Sequence, residues 1–147
     1  MQKIYDEKIN LYLQAQSRCF DSAVCELING KKETHWMWYI FPQLTGLGLS
    51  EDSFRYGLYN LEETKIYYNH PVLGQRLKNL CKILLNSTKD EAEDIFGFLD
   101  SLKLRSCMTI FYIATGDKLF KQVLNKYFQG KMDEKTITLL NNNGELS

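Results

Sequence analysis

The stretch SLKLRSCMTIFYIAT, Ser101–Thr115, constrains the fold more than any other part of the chain. From Cys107 onward, Met108, Ile110, Phe111, Tyr112, Ile113 and Ala114 make a helix that is apolar around nearly its whole circumference, so other helices must surround it. Its first half is different, with Lys103, Arg105, Ser106 and Thr109. On a helical wheel Arg105, Ser106 and Thr109 form one stripe at i, i+1 and i+4, and Lys103 lies to one side. A charge on a central helix costs several kcal/mol unless it is paired. Two partners suit Arg105. One is a carboxylate such as Asp94 or Asp100. The other is an anion at the helix N-terminus, where free N–H groups and the dipole favour phosphate, Arg105 clamps it and Ser106 donates to it.

The remaining segments read as short helices around this one. Tyr5–Ile28 has apolar residues at helical spacing, as one helix or as two broken near Ser17, and Gly30 stops it. Ser50 and Asn60 can each cap a helix, the first running to Tyr59 and the second to Asn69. Pro71 suits the first turn of a helix reaching Asn86. Thr88 to Glu91 has the capping-box pattern and opens a short helix ending at Gly97. Asp100 caps the central helix, closed by Gly116, while Asp117 and Asp133 start the last two. The final NNNGELS is expected to fray. The fold expected is all-α, a compact single domain over residues 1–147 with roughly seven to nine short helices around a central buried one. A small β element near Trp36 to Phe41 stays open.

The 147 residues are 44% hydrophobic and 13% aromatic, ample material for one core. Lys plus Arg equals Asp plus Glu at 18 each. A protein gripping long nucleic acid carries a basic excess, because phosphate neutralisation dominates that affinity. A small ligand or a protein partner is therefore the better expectation, with a homodimer left open. No run resembles a signal peptide or a membrane span. Cys19, Cys25, Cys81 and Cys107 lack C-x-x-C spacing and lie among apolar residues, as reduced thiols of a cytoplasmic protein do. No metal and no cofactor is expected.

ETHWMWYIFPQ, Glu33–Gln43, raises the question of function. If Thr34 caps a helix through Phe41, then His35, Trp38 and Tyr39 share a face while Trp36 and Ile40 point elsewhere. Pro42 ends that helix and frees the carbonyl of Trp38. A loose carbonyl, two tryptophans, His35 and Gln43 mix apolar and hydrogen-bonding character, as small-molecule sites do. Gly46-Leu-Gly48 allows a tight turn beside it. A core helix with a satisfied histidine fits the same letters equally well.

THWMWYIFPQLTGLG (Thr34–Gly48), NHPVLGQRL (Asn69–Leu77), IFGFLDSLKLRSCMTIF (Ile95–Phe111) and the closing F-x-x-V-L…D-x-x-T pattern together resemble the bacterial and fungal family called domain of unknown function eighteen-ten. The resemblance spans nearly the whole chain and implies a compact, mostly helical domain. Its characteristic positions correspond here to His35, Trp36, Trp38, Gln43, His70, Asp100, Lys103, Arg105, Ser106 and Thr109. Cys107 departs from the pattern, which commonly has serine there. Some members are labelled calpastatin, yet this chain lacks the polar, disordered composition of such an inhibitor. A looser resemblance, in size, helical make-up and a tryptophan-rich segment, is to the YbiA-like superfamily. That resemblance implies N-glycosidase action on ADP-ribose derivatives.

Three functions compete. An enzyme on a nucleotide derivative would stack a base on Trp36 or Trp38 and hold phosphate with Lys103 and Arg105 at the Asp100 helix end. Ser106, Thr109 and Gln43 would add hydrogen bonds, and His35 and Asp100 are its catalytic candidates. A non-catalytic sponge would use the same pocket without them. In a protein-interaction module the same residues only pack and pair. No G-x-G-x-x-G or Walker loop is present, which disfavours redox and NTPase roles.

Overall fold

The structure, a computed structural model, describes residues 2–146. Nine helices follow in chain order: α1 (Gln2–Ser17), α2 (Phe20–Ile28), α3 (Met37–Ile40), α4 (Glu51–Arg55), α5 (Leu61–Asn69), α6 (Leu73–Asn86), α7 (Ala92–Thr115), α8 (Lys118–Phe128) and α9 (Glu134–Asn142). The all-α expectation holds, with no strand among the described residues. The only pairing of extended backbone described is an isolated parallel bridge between Leu44 and Leu58, just after the aromatic block rather than within it. The chain does break after Ser17, giving two helices.

α7 is the central helix. Leu104, the run Ser106–Phe111 and Ala114 are buried, and α5, α8 and α9 pack around it. Buried stripes at the expected spacing complete the core: Phe120, Val123, Leu124 and Tyr127 on α8, which packs on α7, and Leu73, Leu77, Leu80, Cys81 and Leu84 on α6, which packs on α8, α5 and α2. Lys126 closes the other end of α6, where its ammonium donates to the carbonyls of Leu84, Leu85 and Ser87.

Caps were legible where their partner is local. Ser50, Asn60, Asp117 and Asp133 accept from the N–H groups of Ser53, Glu63, Leu119 and Thr136. Two other expectations need correction. The capping box from Thr88 does not form, since α7 starts at Ala92 with no side-chain cap. Asp100 caps nothing either, because α7 runs on through it. The interruption lies at Gly97, whose φ of 77° an L side chain rarely adopts, so Asp100 falls in the first turn after the break. Pro71 precedes α6, and the cap is His70, whose Nδ1 accepts from the N–H groups of Val72 and Leu73. The C-terminal segment is tied down rather than frayed: Glu145 accepts from the N–H of Leu61 at the start of α5.

Arg105 also differs from expectation. It turns inward, but its partners are neither Asp94, Asp100 nor an anion: Nε donates to the Lys131 carbonyl at 3.0 Å and Nη2 to that of Met132 at 3.1 Å. The rest of the stripe joins it. Thr109 accepts from the N–H of Asp133 at 2.8 Å, and Ser106 donates to the Asp133 carboxylate at 3.0 Å. The polar stripe of the central helix therefore fastens the loop before α9 and the α9 N-terminus.

α1 buries an equally polar stripe, Tyr5, Lys8, Tyr12 and Gln16. Lys8 and Glu63 pair at 3.4 Å with side chains 5% and 1% exposed. Lys8 also donates to the Gly57 carbonyl and lies 3.8 Å from the centre of the Tyr59 ring. Burial outweighs the attraction at both ends, pulling Lys8 below and pushing Glu63 above their ordinary pKa values. A pair held at that desolvation cost is vulnerable to loss of one partner. Lys8→Met should lower unfolding free energy by about 3 kcal/mol or more in urea titrations. Adding Glu63→Gln should recover much of that loss; failure to recover would show that the pair is not the source.

Candidate functional site

The aromatic block takes its shape from a distant residue. Glu26, on α2, accepts from the N–H groups of Glu33 (2.6 Å) and Thr34 (2.9 Å), the Thr34 hydroxyl (2.6 Å) and the Trp36 indole (3.1 Å). Thr34 is thus consumed by Glu26 and does not cap the helix, which starts only at Met37. Lys32 adds the second anchor. Its N–H goes to the Ile95 carbonyl at 2.7 Å, beside the break at Gly97 where helical carbonyls lose their usual partners. Its ammonium reaches Asp100 at 2.9 Å.

These anchors separate the two tryptophans. Trp36 is 1% exposed and packs on Phe41 and Phe96 with its N–H on Glu26, so it is core and offers no face for a ligand to stack on. Trp38 is half-buried, and the Lys103 ammonium lies 4.2 Å from its ring centre. Lys103 is held there by Asp100 at 3.0 Å. Burial alone would raise the Asp100 pKa, but hydrogen bonds and charge from Lys32 and Lys103 outweigh it and hold the carboxyl below its ordinary range.

Trp38 and Lys103 form a ridge between two hollows. The first, about 380 Å³, is lined by Lys32, His35, Tyr39, Asp52 and Asp100 together with the ridge. His35 is exposed at its rim, and the Tyr39 hydroxyl donates to the His35 carbonyl at 3.2 Å. The second, about 300 Å³, is lined by Gln43, Leu47, Gly48, Leu102, Ser106 and Asp133 on the far side of the ridge. Gly48 is required there, because a Cβ would sit 2.9 Å from that of Ser53 and 3.6 Å from the Trp38 ring. Of the residues singled out from sequence, the structure thus gathers His35, Trp38, Asp100 and Lys103 around one hollow, with the buried Trp36 behind its wall. Trp38, Gln43, Lys103 and Ser106 border the other. Arg105 and Thr109 line neither, being engaged with the loop before α9.

Glu26 and Lys32 are the positioning residues that sequence reasoning missed. Their partners lie in the following loop and on α7, and no local pattern marks such pairs. Burial would raise the Glu26 pKa, but its donors from Thr34, Glu33 and Trp36 bring it down to about 2. A depressed acid contributes stability above its unfolded pKa, about 4.3, and loses it as pH falls toward the folded value. Glu26→Ala should destabilise the protein by about 1.5–3 kcal/mol near neutral pH. In urea titrations that difference from wild type should stay flat above about pH 5 and shrink between roughly pH 4.3 and 2. A gap that does not change with pH would show that its charge is not what matters.

The chain matches the family described as protein of unknown function (DUF1810) over residues 6–140. No curated protein matches it. Among solved structures it is similar to the conserved hypothetical protein Rv1873 from Mycobacterium tuberculosis, at 41% identity. The likeness covers 90% of this chain and 96% of that one, with a TM-score of 0.88. The protein belongs to the DUF1810 family.

Proposed function

We propose that this protein binds a small anionic ligand of the nucleotide-derivative class, of the ADP-ribose or NAD type, across the two hollows that meet at Trp38 and Lys103. The observation that carries this reading is the ridge itself: a half-buried indole and a fixed ammonium on the boundary of two adjoining hollows. A nucleotide needs a flat apolar surface for its base and cations for its phosphates, within reach of each other. Trp38 supplies the first, with Lys103 and Lys32 the second and His35 at the rim. Two ammonium groups share the Asp100 carboxylate, and Asp52 on the same wall is the second counter-charge, so the hollow offers placed ammonium donors rather than a net positive excess. Each hollow is at the lower end of the ~300–1,000 Å³ usual for small-ligand sites.

The geometry favours binding over N-glycosidic cleavage. A glycosidase needs a proton donor at the leaving group and free negative charge beside the developing oxocarbenium ion. Asp100 has its pKa lowered, so near neutral pH it does not serve as the acid. Its charge is already shared between two lysines, which weakens it as a counter-charge. His35 would be the remaining catalytic candidate. The four free thiols, two of them buried, suit a reducing cytoplasm. No described helix is long and apolar enough to cross a membrane.

A thermal-shift panel of ADP-ribose, NAD and mononucleotides should raise the melting temperature of the wild type. Stacking contributes about 1–3 kcal/mol per base, so Trp38→Ala should weaken binding roughly ten- to a hundredfold while the domain stays folded. The ligand should be recovered intact after incubation, and release of free base would turn the reading toward a glycosidase. If no nucleotide shifts the wild type, the hollows are not a nucleotide site and the residues serve packing alone.

A further inference from the structure

One polar group at the site has nothing to do inside the protein. Gln43 is only 7% exposed, yet among the described residues its carboxamide makes no hydrogen bond. Its main chain is fixed, because its carbonyl accepts from the N–H of Leu58 at 2.8 Å beside the Leu44–Leu58 bridge. Its side chain forms part of the wall of the second hollow. Lys135 on that wall is exposed, and the three polar neighbours less exposed than it are already committed. Ser106 bonds to Leu102 and Asp133, Asp133 to Thr136, and Lys103 to Asp100. The carboxamide is not sealed away, since the buried side-chain atoms without a partner among the described residues are Glu63 Oε2 and Glu145 Oε2. Its polar end opens into the hollow with no partner from the chain, which leaves both its donor and its acceptor free for a ligand.

A carboxamide presents an acceptor and a donor side by side. Its complement is a flat ring with a donor next to an acceptor on one edge, the two-bond pairing that Gln or Asn makes with adenine. The walls beside Gln43 suit such a ring, with the Trp38 indole and the side chains of Leu47 and Leu102 around it. We infer that the Gln43 hollow is a base-reading subsite for an adenine-type edge, with the ring against Trp38 and the phosphates across the ridge toward Lys103 and Lys32. This rests on the ligand reading above and adds which hollow takes the base and what is read on it. A ligand lacking the exocyclic amine leaves the Gln43 oxygen buried and unpaired, so discrimination comes from rejection as much as from attraction.

The test compares AMP with purine riboside 5′-monophosphate, which differs only in lacking that amine, by titration calorimetry. Wild type should prefer AMP roughly ten- to a hundredfold. Gln43→Leu should bind the two about equally while still binding both through Trp38 and the lysines. Gln43→Met, similar in size and without an amide acceptor, serves if the leucine variant does not fold, and it should likewise lose most of the preference. Equal binding of the two by wild type, or a preference that survives the replacement at Gln43, overturns the subsite and leaves the ligand reading standing. If wild type binds neither, the ligand reading fails first and the subsite with it.

Discussion

The polar stripe of the central helix packs where it does because the loop before α9 answers it. Arg105, Ser106 and Thr109 meet two carbonyls, a carboxylate and an amide N–H across a single short segment, Lys131–Asp133. Arg105 is half-buried at the edge of that stripe, where the two carbonyls fix a guanidinium that cannot give up its proton. Neutral carbonyls are weaker partners than a carboxylate, but they are fixed by the backbone and match the guanidinium fork. The cap of α9 depends on the same contact, since the Asp133 oxygen that accepts from Ser106 also accepts from Thr136. Helix packing and helix initiation are thereby one event on that side of the molecule.

That arrangement decides which cations are left for a ligand. With Arg105 engaged, the hollows keep Lys103 and Lys32, both steered by Asp100, and Lys135 on the wall of the second. Lysine is a point charge on a flexible stem, which suits a phosphate met from several directions rather than bidentate recognition of one. Asp100 removes that flexibility and holds Lys103 over the indole, so little conformational entropy remains to be lost on binding. The same carboxylate also screens the charge it positions, and the site trades strength of attraction for order.

Much of the fold was legible because it follows from patterns within one or two turns. The apolar girdle after Arg105 announced the central helix, and Ser50, Asn60, Asp117 and Asp133 announced their helices through partners two or three residues away. Thr34, Thr88 and Asp100 carry the same signal and do not cap. Thr34 has a stronger acceptor in Glu26, eight residues upstream. Asp100 follows a glycine break, and it does not cap because the chain resumes its helix before reaching it and the lysines claim the carboxylate. Local propensity predicts a start only when no distant group bids for the same side chain.

The site was legible by a different route, as polar residues stranded in apolar surroundings. Lys103, Gln43 and Trp38 stood out that way, and so did Arg105, whose partner proved to be the chain itself. Residue type alone cannot separate the two outcomes, because both begin from the same need for a hydrogen bond. What separates them is whether the fold supplies the partner. For Arg105 it does, through a loop that sequence spacing could not place beside α7. For Gln43, among the described residues, it does not, and the carboxamide opens into a hollow beside a half-buried indole with its donor and acceptor unused. An amide that the chain leaves free on the wall of a hollow is the most direct physical reason to look for a ligand there.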